Sequence, residues 1–232
     1  MEVTDNMWAV FKREVRSYFV SPVGYVFIGL SLFLASIFFQ QSIVVGREID
    51  FGYLLYPMAV ALVFLVPVLT MKLLAEERRT GTEQLLITSP RGITEIVLGK
   101  YLAAVFVFAV SVVFTLVYAG IILGFGRPEL SVLANSYLGY LLIGSAYIAV
   151  GLFASSLTES QVISAILSFV FLFAMWVSTS LPGIGWLSLL QRYDDFLRGI
   201  LSIKQVIYFL TFTGLFIFLT VRIIERRRWS QG

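Results

Sequence analysis

The chain has 232 residues, 59% of them hydrophobic and 13% charged, with a formal net charge of +3 and a mean hydropathy of +0.91. A composition this apolar excludes an ordinary soluble domain and leaves no polar stretch long enough to fold as a second one, so a single membrane domain over 1–232 is expected. The sequence holds no cysteine and no histidine, which removes disulfides, thiol and Ser-His-Asp chemistry, and the usual zinc and haem ligand sets.

Residues 1–21 carry Trp8, Phe11, Val15 and Tyr18/Phe19 at helical spacing, with Lys12, Arg13, Glu14 and Arg16 between them. This predicts either an interfacial helix lying along lipid headgroups or a simple basic anchor, before Ser21-Pro22 turns the chain. The apolar run that begins there is too long for a signal-peptide core and has no small-residue cleavage site after it, so it reads as the first span.

Six candidate spans follow, at roughly 23–45, 51–71, 101–124, 137–157, 162–181 and 205–221. Each is near the ~20 residues that cross ~30 Å of hydrocarbon. None contains Asp, Glu, Lys or Arg. Small residues within them, such as Ser145/Ala149 and Gly151/Ser155, suit close helix packing rather than substrate contact.

Between the second and third spans lies the most charged window, residues 72–100. Counted from Met71 to Tyr101 it has four carboxylates and five basic side chains, so it must face water. Thr80 and Glu83 have capping-box spacing, and the apolar run Leu85, Leu86, Ile87 follows. Ser89-Pro90-Arg91-Gly92 then breaks the chain, and Thr94 can cap a second helix entered at Glu95. A plain linker needs none of this patterning. The segment is expected to dock on a soluble partner through Leu85, Leu86 and Ile87, with Thr82, Ser89 and Pro90 framing the contact. Glu76, Glu77, Arg78, Arg79 and Glu83 would orient it through charge pairs. The competing reading is a solvated hairpin held to headgroups by its arginines.

Twelve of the seventeen basic residues fall at one side of the predicted spans: Lys12, Arg13, Arg16, Lys72, Arg78, Arg79, Arg91, Lys100, Arg222, Arg226, Arg227 and Arg228. By the positive-inside rule both termini and the hairpin are cytoplasmic. The connection 158–161 is short, and its only charge, Glu159, reads as a turn cap. The last outer segment, 182–204, is too long for a turn and too polar for a span. Leu189, Leu190, Tyr193, Phe196, Leu197, Ile200 and Leu201 recur at helical spacing, and Asp194 and Arg198 are placed for an i,i+4 pair. This helix either lies flat on the outer surface or dips back toward the bilayer.

No phosphate-cradling loop is present, because Thr94 stands where its first glycine would be and Gly99-Lys100 is followed by Tyr101. The adjacent carboxylates Glu76/Glu77 and Asp194/Asp195 point about 100° apart on a helix and do not share a site, so they read as solvated charges or partner contacts. Ion-coupled carriers and pumps place ionisable groups within their spans. These spans have none, so any energy for movement must enter from outside the membrane core.

The segments KREVRSYFVSPVGYV, EERRTGTEQLLITSPRGITEIVLGKYLA and YDDFLRGILSIKQVIYFLTFTGLFIFLTVRIIERRRW, in that order around six spans, resemble the ABC-2 type permeases. Within that family they are similar to the small gliding-motility-associated and nitrous-oxide-accessory permeases, over essentially the whole chain. The resemblance implies an all-α membrane protein of the type V exporter kind. It would have an interfacial elbow helix at 1–19, a coupling helix at 80–90 and re-entrant outer helices at 182–199. It also implies a bacterial inner-membrane location, a cytoplasmic ATPase partner that binds ATP and magnesium, and a second six-span permease subunit, identical or related. No cofactor, metal or catalytic residue is expected in this chain. Two rivals stand beside this reading: a non-transporting scaffold that recruits a cytoplasmic partner through the hairpin, and a membrane-embedded enzyme acting on lipid.

Overall fold

The computed structural model describes residues 2–45, 52–81, 92–125, 129–180, 185 and 188–230. Among these residues the chain is helical throughout, with no strand. The elements are α1 Glu2–Val20, α2 Pro22–Val45, α3 Gly52–Thr70, α4 Ala75–Arg79, α5 Ile93–Phe125, α6 Leu130–Leu157, α7 Gln161–Val177, a 3-10 turn Ser178–Ser180, α8 Leu189–Leu197 and α9 Ile203–Ser230. Six helices, α2, α3, α5, α6, α7 and α9, are long and apolar enough to cross a membrane. The sequence pattern and the fold therefore agree on an all-α membrane protein.

Helix limits differ from the apolar runs where polar residues keep helical backbone bonds. α5 starts at Ile93, with the Gly92 carbonyl accepting from the Glu95 and Ile96 amides at 3.0 and 3.3 Å. Thr94 therefore lies inside the first turn and is not its cap. Hydropathy marks the part of a helix that suits hydrocarbon; the backbone ladder continues until a breaker stops it.

α3 and α6 form the centre of the bundle, and glycines set how closely their neighbours approach. A side chain at Gly151 would collide with Thr70 on α3, and one at Gly144 would collide with the Phe108 ring on α5. Hydroxyls within the helices bond back to carbonyls three or four residues earlier, as in Thr70 to Val66 at 2.9 Å, Thr115 to Val112 at 2.7 Å and Ser145 to Leu141 at 2.7 Å. Such bonds let polar side chains sit among apolar helices without a partner from another span. Outward faces of α2, α5, α7 and α9 expose Phe33, Phe114, Val117, Val162, Ile207 and Phe218. Apolar exposure of that extent suits lipid rather than water.

The outer segment forms α8. Ser188 caps it by accepting from the Gln191 amide at 3.2 Å. It ends in a Schellman motif: Ile200 donates to the Asp195 carbonyl and Gly199 to that of Phe196, both at 3.0 Å, with Gly199 at φ +76°. The stop explains why Ile200 and Leu201 are exposed although they continue the apolar spacing. Leu189, Leu190, Tyr193, Phe196 and Leu197 are buried. The Tyr193 hydroxyl donates to the Ser136 carbonyl at 3.2 Å, and Asn135 Nδ2 donates to that of Gly199 at 2.7 Å. Gly139 leaves room for the Phe196 side chain, which would be 2.7 Å from an added Cβ. α8 is thus seated against the first turns of α6. The expected Asp194–Arg198 pair forms at 2.6 Å on its exposed side.

Replacing Gly151 with Leu should force α3 and α6 apart at Thr70. We expect a loss of about 1–3 kcal/mol, read as a lower unfolding midpoint of the purified chain in detergent.

Candidate functional site

α3 ends where its backbone ladder breaks. The Leu73 amide bonds to the Thr70 carbonyl at 3.1 Å instead of reaching Leu69. The freed Leu69 carbonyl accepts from the Tyr18 hydroxyl of α1 at 2.8 Å. Leu74, the residue before α4, offers no side-chain cap. Ser155 of α6 supplies one from a distance. Its Oγ accepts from the amides of Leu74 and Ala75 at 3.0 and 3.1 Å and donates to the Met71 carbonyl at 3.3 Å. The start of α4, and with it the base of the 72–100 segment, is therefore fixed by a hydroxyl eighty or more residues away in sequence. Lys72 Nζ donates to Ser21 Oγ at 2.7 Å and lies 5.2 Å over the Tyr18 ring, tying the same break to the start of α2.

Beside this break sits a closed ring of alternating charges. Lys100 Nζ lies 3.1 Å from Glu14 Oε1 and 2.9 Å from Glu77 Oε1; Arg13 Nη2 lies 2.8 Å from Glu14 Oε1 and 3.1 Å from Glu77 Oε1. α1, α4 and α5 each contribute. The Lys100 side chain is 2% exposed, so its ammonium depends on these two carboxylates; a buried cation without partners costs several kcal/mol. Two cations face two carboxylates, and the ring is net neutral. Burial by itself pushes the Glu14 carboxyl up, but the charge of Lys100 and the hydrogen bond and charge of Arg13 outweigh it and hold the group below its ordinary range. Burial pushes the Tyr18 phenol well up, which keeps it a neutral donor to Leu69.

Close packing positions the ring. An added side chain at Gly99 would lie 2.9 Å from Val10, so α1 can approach α5 only because Gly99 precedes Lys100. Val10 and Tyr18 are buried and Trp8 is half-exposed. The buried stripe of α1 therefore runs through Val10, Glu14 and Tyr18, and of the residues at apolar spacing Tyr18 belongs to it. Trp8 instead stacks on Phe11 at 4.8 Å, and Phe11 meets Phe106 of α5 edge-on at 5.8 Å.

Of the residues expected to contact a partner, Glu76 and Arg79 are exposed on α4. Glu77 and Arg78 are turned inward: Glu77 belongs to the ring, and Arg78 Nη2 meets Glu159 Oε1 at 2.6 Å. Glu77 is thus an intramolecular partner rather than a solvated charge. Glu159 does not cap α7; Ser160 does so, accepting from the Ile163 amide at 3.5 Å. Thr82, Glu83, Leu85, Leu86, Ile87, Ser89 and Pro90 lie outside the described residues. The sequence counts Arg13, Glu14 and Lys100 only as members of charged segments and marks Ser155 only as a small packing residue, not as the cap of α4. Lys100 had one readable signal, its place between Val97, Leu98, Tyr101 and Leu102 in an apolar helix.

Six helices long and apolar enough to span a bilayer, with a charged end built from both flanks of the second and third, make this a multi-pass membrane protein. The chain matches the family described as ABC-2 family transporter protein over residues 6–231, and it belongs to that family. Members are membrane subunits of ATP-binding cassette transporters, which associate with cytoplasmic ATPases. No curated protein matches the chain significantly.

Replacing Lys100 with Met leaves Glu14 and Glu77, mostly buried, to share the single half-exposed Arg13 and should cost up to about 3 kcal/mol, read as a drop in the unfolding midpoint. Replacing Glu14 and Glu77 with Gln in the same chain should recover most of that loss. A triple variant as unstable as Lys100→Met would show that the ring is not the source of the effect.

Proposed function

We propose that this chain is the transmembrane permease subunit through which a separate cytoplasmic ATPase drives export or mechanical work. Family membership gives the class; the observation that carries the coupling role is the fixed base of the 72–100 segment. α4 is held by Ser155 and by the Glu77–Lys100–Glu14–Arg13 ring, so a push on the segment beyond Arg79 is delivered to α1, α3, α5 and α6 together. A loosely hinged hairpin would absorb such a push.

The docking contact falls to Leu85, Leu86 and Ile87, with Thr82, Glu83, Ser89 and Pro90 around them and the exposed Glu76 and Arg79 beside them. Twelve of seventeen basic residues at this end support placing it, and both termini, in the cytoplasm. ATP and magnesium belong to the partner ATPase, and a second six-span permease subunit, identical or related, completes the assembly. The apolar runs 101–124, 137–157, 162–181 and 205–221 hold no Asp, Glu, Lys or Arg for ion coupling, and the buried Lys100 of α5 is neutralised by Glu14 and Glu77, which supports nucleotide-driven movement. A scaffold that merely recruits the ATPase would leave its turnover unchanged.

Replacing Leu86 with Asp should release the ATPase, seen as loss of co-purification, while the unfolding midpoint of the permease stays put. Asp194→Ala breaks only a solvent-exposed pair, worth less than about 1 kcal/mol, and should leave the yield of complex unchanged. Continued co-purification with normal coupled turnover in the Leu86→Asp variant would refute the docking assignment.

A further inference from the structure

Glu77 and Arg78, adjacent on α4, grip opposite halves of the charged end with unequal firmness. Glu77 joins the ring with α1 and α5, where Lys100 is 2% exposed. That grip cannot open without leaving charges buried and unpaired. Arg78 reaches the turn between α6 and α7, where its partner Glu159 is 66% exposed. The Glu159 carboxylate can pass from its guanidinium to water, whereas Arg78 is 15% exposed, so the contact opens only when α4 itself shifts. Ser155 lies four residues before Glu159 and holds the first residues of α4. Arg78, three residues after Ala75, reaches Glu159 about one helical turn further along the same element. A pivot and a separable contact thus lie one turn apart along the junction between α4 and the α6–α7 pair.

We propose that Glu159 is a positioning residue that latches α4 to the α6–α7 turn in one working state of the permease and lets go of it in another. α4 turns about Ser155, and the buried ring carries α1 and α5 along with it. The consequence for ATP turnover rests on the permease reading above; the latch itself is a property of this chain alone.

The absence of cysteine lets two labels be placed uniquely. Thr80→Cys and Val162→Cys, spin-labelled in lipid nanodiscs without any partner, should give a narrow distance distribution. Adding Glu159→Gln, a change at an exposed site that does not threaten folding, should broaden it or add a second, longer population. Reversing the pair with Arg78→Glu and Glu159→Arg should narrow it again. In the assembled complex Glu159→Gln should change ATP turnover by about fivefold or more, the upper end for an exposed ion pair, since Arg78 is only 15% exposed, without changing the yield of complex. A distance distribution indifferent to Glu159→Gln overturns the latch, as does unchanged turnover in an intact complex. Failure of the unaltered chain to bind any ATPase would instead refute the permease reading, and the distance measurement would still decide the latch.

Discussion

A single buried ammonium governs the charged end of this protein. Lys100 is almost fully enclosed, and it is tolerable there only while Glu14 and Glu77 stand within 3.1 and 2.9 Å. That requirement reaches outward. It brings α1 against α5 at Gly99 and fixes the face that α1 turns inward. It also sets the rotation of α4, since Glu77 must point at the ring. Once Glu77 is placed, Arg78 points about 100° away, toward the α6–α7 turn, and meets Glu159. The order of charges on five residues of helix thus decides which elements are joined.

The backbone break after α3 is the second half of the same construction. A helix that ends inside a bundle leaves carbonyls and amides that must find partners. Tyr18 takes the Leu69 carbonyl, and Ser155 takes two amides and one carbonyl. The break is therefore stable without solvent, and the chain can turn from a span into a charged segment while remaining packed. The firm body built here lies beside the Arg78–Glu159 contact, of which only the carboxylate side is in water.

The six spans were legible because a bilayer demands uninterrupted apolar runs of a fixed length, and such runs survive without any knowledge of contacts. The α8 helix was legible for a different reason: Leu189, Leu190, Tyr193, Phe196 and Leu197 repeat with helical period, and its Asp194–Arg198 pair is local. What escaped notice is non-local. Ser155 is an unremarkable small residue in a span until the break at Leu74 is placed beside it. Glu14 reads as a surface charge because its counter-ion lies 86 positions later. The apolar spacing of α1 named Trp8, Phe11, Val15 and Tyr18/Phe19 without saying which of them meet protein; Tyr18 is buried and Trp8 is half-exposed. Charged pairs separated by whole spans leave no periodic mark, and only the fold shows which lysine meets which carboxylate.

The neutrality of the Arg13–Glu14–Lys100–Glu77 ring bears on membrane voltage. Work done by a transmembrane potential scales with the net charge displaced through the field. A cluster of two positive and two negative groups that travels as a unit displaces none. Movement of the ring itself is consequently electrically silent, and a transmembrane potential does no net work on it.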